Sequence, residues 1–470
     1  MIMPAEQERG GSMQKSNISL DKIRQILRSP DSVLHFVGIG GVSMASLAQL
    51  ALLRGIKVTG SDRIISKNAH KLIDLGASVH AGHDGANVPG ASALVYSHAI
   101  AQNNPEILCA RTLGIPLISR ARFLGTVMLD YRNRIGISGT HGKSTVTSML
   151  SEILTRASMD PTVLSGAELS CGDALRYGGN THFLYEACEY KDSFLEFSPT
   201  VSVGLNLELD HVDYFEDINA LKRSFTKALG KATDFCIING DDENLEDVAY
   251  DLRCRVITYG EGERTDYRYL INTYGEGSFG FTLYRFGKSV GRFTLNMQGV
   301  YNVSNAVAAI VTALELGVDA SVIRDAVSAF RPVPRRLELV GHQLGRAIYY
   351  DYAHHPTEIA ANINAVRMTH NDRVTVIFKP HTYSRTKALW EDFIASLSLA
   401  DTVILTDIYP AREEPISGVN SRRLAREIGG RATFLPDYEV ASYVLEHTDG
   451  TIIVMGAGDL ESVKKDILKH

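Results

Sequence analysis

No apolar run in this sequence approaches the roughly 20 residues that a membrane-spanning helix requires. The opening stretch, MIMPAEQERGGSMQKSNISL, lacks the apolar core of a secretory signal, and residues 1–30 read as a loose polar extension. Long basic runs are missing as well. With a net charge of −6, this excludes a nucleic-acid groove, so any phosphate must be held locally by loops and helix ends. Cysteine is scarce: Cys109, Cys171, Cys188, Cys236 and Cys254 show no CxxC spacing. An odd count this low points to reduced thiols in a cytoplasmic protein. Internal repeats and low-complexity tracts are absent from the sequence.

What is present is an ordinary globular composition, 44% apolar and 22% charged, in a chain of 470 residues, enough for about three domains. Each of three segments alternates apolar strand patterns with helical ones, as α/β domains on mostly parallel sheets do. The first, 31–131, offers strands in VLHFVGIGG, KVTGSD, ALVYSHAI and IPLIS. The second, 132–332, offers RIGIS, HFLYEA, VSVGLNL and DFCIING. Over 266–297 its pattern changes to short alternating runs split by glycine turns, which predicts an antiparallel appendage. Helices from Asn302 onward close this segment, and the two prolines of RPVPRR mark the next boundary, a candidate hinge at 331–334. The third, 333–470, offers AIYYDY, RVTVIF, DTVILTDI and TIIVMG. The expected fold is α/β, with Rossmann-like N-terminal and C-terminal domains around a P-loop ATPase-like centre.

The stretch ISGTHGKST joins the strand RIGIS to a helical pattern. The common phosphate loop, G-x-x-x-x-G-K-[ST], needs a glycine where Ile137 stands. A shorter core remains in Gly139, Gly142, Lys143 and Ser144, and Thr140, His141 and Thr145 complete the loop. Glycines let backbone N–H groups turn toward one point, and the helix N-terminus adds partial positive charge. Lys143 can reach the β- and γ-phosphates of ATP, and Ser144 can offer its hydroxyl to Mg²⁺. Such a metal needs further oxygen ligands. EACEYKDSF supplies Glu186, and LNLELDHVDYF supplies Asn206, Asp210 and His211, at the carboxyl ends of parallel strands where α/β sites form. Glu186 and His211 are therefore candidate metal positions beside Ser144.

Two further clusters carry polar chemistry. GIGGVS, with Gly40 and Gly41, follows the first strand, and Asp62 ends the second about 20 residues on. Taken alone this fits an NAD site, and it suits any nucleoside diphosphate. Ser97, His98 and Arg120 follow later strands and can reach the same ligand. In the third segment, DYAHHPTE gathers Asp351, Tyr352, His354 and His355, and KPHTYSRT adds Lys379, His381 and Arg385. This density suits recognition of something small and charged, with Arg385 able to pair bidentately with a carboxylate.

The motifs HFVGIGGVSMAS, GTHGKST, EACEYKDSF, NLELDHVDYF, GVYNVSNAVAAI, RRLE, DYAHHPTEI, PHTYSRT and ADTVILTDIY run in this order from about residue 33 to 460. Together they resemble the Mur ligase family, whose phosphate loop is the shorter Gly-x-x-Gly-Lys form. The resemblance implies ATP-dependent ligation in peptidoglycan synthesis with Mg²⁺. The type it resembles joins L-alanine to the lactyl carboxylate of UDP-N-acetylmuramate through an acyl phosphate. A sister ligase adding a preformed peptide, and a catalytically silent UDP-sugar sensor, remain as alternatives. The resemblance implies UDP-sugar contacts, not NAD contacts, at Gly40, Gly41, Ser61, Asp62, Ser97, His98 and Arg120. It implies Asn302 and Asn305 at the adenine, Asp351 at the ribose, and Arg335 and Arg336 near the nucleotide. Tyr352, His354, His355 and Arg385 match the neighbourhood of the incoming amino acid, with His354 or His355 as the base. Neither nucleic acid nor membrane insertion is implied, and a monomer or weak dimer is expected.

Some positions depart from the family pattern. Where many members of this type read E-A-D-E-S-D, Cys188 and Lys191 replace the two aspartates, so the metal role is expected of Glu186 alone. Arg122 stands where Glu is common, and no lysine follows His211 at the spacing of a carbamylated one.

Overall fold

A computed structural model describes residues 18–275 and 277–469. The chain divides into two compact units, the first ending at Asp130 and the second beginning at Tyr131. The first holds a sheet of β1 (Val33–Val37), β2 (Lys57–Asp62), β3 (Ser78–Ala81), β4 (Ala93–Tyr96) and β5 (Leu117–Ser119). Its order is β3-β2-β1-β4-β5 and every pairing is parallel. The order reverses between β1 and β4, which opens a crevice at their carboxyl ends. β3 is a strand the sequence reading missed. It is a short edge strand with no buried residue, so it shows no apolar run to find.

Residues 1–17 of the expected loose extension lie outside the described residues. Beyond them the expectation fails, because Leu20–Arg28 is a helix. The Ser19 side chain accepts from the Lys22 N–H, Ile23 and Ile26 are buried, and Asp130 lies near both Arg24 and Arg28. Two buried apolar residues and a cap hold two and a half turns that composition alone marks as polar.

The second unit contains two sheets. The larger comprises β6 (Asn133–Ser138), β7 (Thr162–Leu164), β8 (Leu175–Arg176), β9 (His182–Glu186), β10 (Val201–Gly204), β11 (Phe235–Asn239), β12 (Val256–Gly260), β13 (Tyr267–Gly275), β14 (Ser278–Arg285) and β15 (Lys288–Leu295). Their order is β15-β14-β13-β12-β11-β10-β6-β9-β7-β8. β13 pairs in parallel with β12 at Tyr259 and Tyr267, so the expected appendage is instead a continuation of the main sheet. Its aromatic face decides this: Tyr269, Phe279, Phe281 and Phe293 are buried in the same core as helices Tyr301–Glu315 and Ala320–Ala329. Leaving those rings exposed would forfeit about 2 kcal/mol each.

The smaller sheet comprises β16 (Glu338–Gln343), β17 (Arg346–Asp351), β18 (Val374–Phe378), β19 (Thr402–Leu405), β20 (Ala432–Phe434) and β21 (Thr451–Met455), in the order β16-β17-β21-β18-β19-β20. Only β16 runs antiparallel. No helix among the described residues is long and apolar enough to cross a membrane.

Candidate active site

The loop after β6 turns on Gly142, whose φ of 83° lies in the left-handed region. A Cβ there would run into the Asn305 amide, so glycine is required twice over. Helix Lys143–Arg156 starts at once and points its free N–H groups at the loop. Lys143 folds back. Its Nζ donates to Gly139 O, to Thr140 O at 3.2 Å and to Glu189 Oε2 at 3.3 Å. Burial pulls the Lys143 pKa down, but Glu189, Cys188 and Glu186 outweigh it and the net shift is upward. The ammonium is therefore charged and held at the floor of the loop.

Glu189 is the residue the sequence reading overlooked. It is the acid that EACEYKDSF retains at the fourth place of the family's E-A-D-E-S-D, and that match was the available signal. It is buried, and its Oε1 lies 3.7 Å from His211 Nε2. Glu186 is turned aside: its Oε1 accepts from Ser165 Oγ at 3.0 Å and from Gly166 N at 2.6 Å. Carboxylate oxygens near Lys143 thus come from two acids, Glu186 and Glu189. His211 adopts a φ of 53° and its ring lies 4.6 Å from that of Tyr190.

Beside the loop lies a cavity of about 380 Å³. His141, Gly142 and Thr145 line it from the loop, Asn302 and Asn305 from helix Tyr301–Glu315, and Arg336 and Asp351 from the third segment. These seven were expected at a nucleotide, and the fold brings them to one cavity. Ser144 is buried next to them, with Arg336 Nη2 3.5 Å from its Oγ. Arg335 is not among them. Its guanidinium lies over Tyr350 and Tyr352 and donates to Gly456 O and Gly458 O, so it braces the turn after β21. Asn206, Glu208, Tyr301, Thr357, Glu358 and Asn362 complete much of the lining, and only Asn206 was marked beforehand.

Asp351 holds the loop after β17. Its two oxygens accept from Leu337 N and Ala353 N, both at 2.5 Å. Burial raises its pKa to about 6, against Arg336, which lowers it. His354 and His355 follow. Burial brings His354 down to about 4 and lowers His355, so both imidazoles are neutral at pH 7 and keep a lone pair. Arg385 does not present a free fork. Its Nε and Nη2 bond both oxygens of Asp210, a carboxylate of the chain itself. Tyr352 packs against the His354 ring at 5.5 Å.

In the first unit the expected residues also gather at the carboxyl ends of the strands. Gly40 N donates to Asp62 Oδ2 at 2.9 Å, and a Cβ at Gly40 would crowd Ser66 Oγ. Gly41 N reaches Gly38 O, closing the turn. Arg120 Nη1 donates to Ser43 Oγ at 3.0 Å, tying the end of β5 to the helix after β1. Ser97 and His98 follow β4, and the Ser97 hydroxyl accepts from Ala99 N. Ser61 is fully buried and donates to Glu106 Oε2 at 2.6 Å. Its carbonyl receives Gly38 N and Ile39 N, so it supports the glycine turn from behind.

Three family models match the chain: the Mur ligase family catalytic domain over 33–132, the Mur ligase middle domain over 137–313 and the Mur ligase glutamate ligase domain over 335–458. A UDP-N-acetylmuramate--L-alanine ligase from Alkaliphilus metalliredigens is 39% identical, over 93% of this chain and 96% of its own. One from Caldicellulosiruptor bescii is 41% identical, over 92% of this chain and 98% of its own. The chain belongs to the Mur ligase family. Among solved Mur ligases, the UDP-N-acetylmuramate-alanine ligase of Thermotoga maritima shares its fold, with a TM-score of 0.79 at 24% identity over 93% of this chain and 98% of that one. Within this Mur ligase frame, Cys188 and Lys191 leave Glu189 in place, and Lys191 takes a left-handed φ of 52° with its ammonium near the Tyr190 ring.

Proposed function

We propose that this chain is an ATP-dependent ligase of peptidoglycan synthesis that joins L-alanine to the lactyl carboxylate of UDP-N-acetylmuramate. The observation that carries this reading is Lys143, half-buried and charged on the phosphate loop, in a chain about 40% identical to such ligases over nearly its full length. At pH 7 a carboxylate and an amine form a salt, not an amide. A carboxylate oxygen therefore attacks the γ-phosphorus of ATP, the bond to ADP breaks, and an acyl phosphate results. The alanine amine then attacks the acyl carbon and inorganic phosphate leaves.

The chain's own groups do positioning and charge neutralisation. Lys143 donates to the transferring phosphoryl. The loop amides and Gly139, Thr140, His141, Gly142, Ser144 and Thr145 cradle the phosphates, Asn302 and Asn305 border the adenine, and Asp351 and Arg336 border the ribose and phosphates. The hard oxygen donors Ser144, Glu186 and Glu189, with His211 beside them, suit Mg²⁺. Mg²⁺ when bound there neutralises charge on the phosphates. His354 or His355 takes the proton of the attacking amine, for which a neutral imidazole is required. Tyr352 and His354 border the amino acid. Arg385, gripped by Asp210, serves by neutralising that acid beside them. The UDP-sugar belongs to the first unit, at Gly40, Gly41, Asp62, Ser97, His98 and Arg120, with Ser61 in support. The free cysteines are in keeping with a cytoplasmic site of action.

The test is isotopic. Carboxylate-labelled UDP-N-acetylmuramate carrying oxygen-18 is coupled to L-alanine, and one label must appear in the released phosphate. Phosphate without label refutes the acyl phosphate. Phosphate released only when a peptide replaces alanine refutes the substrate.

A further inference from the structure

His141, Glu208 and His355 have separate places in the site, yet their ligand-type atoms lie within 4.8 Å of one another. We propose that these three side chains form a binding site for a borderline divalent cation of the zinc type, bridging the two sheets of the second unit beside the nucleotide cavity. His141 follows β6 and Glu208 follows β10, both on the larger sheet. His355 follows β17, on the smaller one.

The spacing supports a tetrahedral ion. Ligand bonds of about 2.0–2.1 Å at tetrahedral angles put neighbouring ligand atoms about 3.4 Å apart. His141 Nε2 lies 3.2 Å from Glu208 Oε2, and His355 Nδ1 lies 3.5 Å from the same oxygen. Two of three edges thus already have about the required length, and the third is no longer than 4.8 Å.

Two of the three ligands also have outer partners of the right kind. Metal-bound imidazoles commonly give their other nitrogen to a carboxylate, which fixes the ring. His141 Nδ1 lies 3.0 Å from Glu358 Oε1. Thr357 Oγ1 donates to Glu208 Oε2 at 2.7 Å, orienting the acid. His355 differs: Nδ1, the atom facing Glu208, now accepts from Thr357 N at 3.4 Å and would exchange that bond for the ion, and its Nε2 has no hydrogen-bond partner. Two nitrogens and one oxygen favour zinc-type ions over Mg²⁺, which takes oxygen ligands. The set is therefore chemically distinct from Ser144, Glu186, Glu189 and His211. An ion here would also tie the phosphate loop to the third segment, so it should restrain the loop and slow the enzyme.

The experiment uses the full chain, freed of metal and nucleotide, and titrates Zn²⁺ against a chromophoric chelator. One Zn²⁺ per chain is expected, retained in a large excess of Mg²⁺. Glu208→Gln and His355→Gln should lose it, and Glu358→Gln should weaken it by about 10–100-fold. His211→Gln should leave it unchanged. Co²⁺ on the unaltered chain gives a measure independent of variant folding: intense visible bands of a four-coordinate ion are expected. Absence of uptake, uptake unaltered in Glu208→Gln and His355→Gln, loss in His211→Gln, or the weak bands of six-coordinate Co²⁺ would each overturn the assignment.

Discussion

Arg385 closes on Asp210 through three hydrogen bonds of 2.9–3.1 Å between groups that are both buried. The pair links the loop after β10 to helix Tyr383–Ala388, so it joins the larger sheet of the second unit to the smaller one. Arg385, with the nearby histidines, draws the Asp210 pKa down against the effect of burial. Truncating one partner strands the other charge in a dry site, at a cost of about 3–5 kcal/mol. Arg385→Leu and Asp210→Leu should each lose that much in urea unfolding, and the double variant should recover part of it. Single losses below about 1 kcal/mol would show that the pair holds nothing together.

Lys143→Ala removes the only ammonium at the loop floor named in this site. Ligation should fall at least 10²–10³-fold, the usual effect of removing such a donor. UDP-N-acetylmuramate binding, followed by calorimetry, should persist, because the residues proposed for it lie in the other compact unit. A variant that ligates at near-normal rate would remove Lys143 from the reaction.

Glu106 makes an acid-limb prediction. Burial pushes its pKa up, but His35, Ser61 and Asn87 outweigh this and bring it from 4.5 to about 2. A depressed carboxylate contributes stability above its unfolded pKa and loses it as pH falls through the folded one. The first unit should therefore lose stability between pH 4.5 and about 2. Glu106→Gln should be less stable at pH 7 and flatter across that window in chemical denaturation. An acid limb of unchanged slope would contradict the assignment.

His141 acts in the opposite direction. Burial pulls its pKa down, but Glu358 and Glu208 raise it from 6.5 to about 9. A raised histidine contributes stability that is complete below 6.5 and disappears as pH rises through about 9. The metal-free second unit should soften over that range, and His141→Gln should abolish the slope. Thermal unfolding at closely spaced pH values reads this directly, and identical slopes in both proteins would count against it.

Much of this was legible in the sequence because it is local. A strand, a glycine turn and a helix start must be consecutive, so ISGTHGKST announces a phosphate loop, and the Gly142 conformation follows from the residue type. The strands with long apolar runs were legible for the same reason. β3, β7, β8, β12, β16 and β20 were not: β3 and β8 are short edge strands without such a run, and β7 and β20 have only three residues each. Glu189 was written in its motif but lay hidden behind the two aspartates missing beside it.

Tertiary structure alone decided the rest. Arg335 and Arg336 are neighbours, and only the fold sends one to Gly456 and the other to Ser144. Arg385 has the chemistry to hold any carboxylate, and only packing supplies Asp210 from 175 residues away. The His141–Glu208–His355 cluster likewise draws on three separate loops. Residue type and spacing dictate what a group can do. Which partner it meets depends on non-local contacts that no pattern of neighbours encodes.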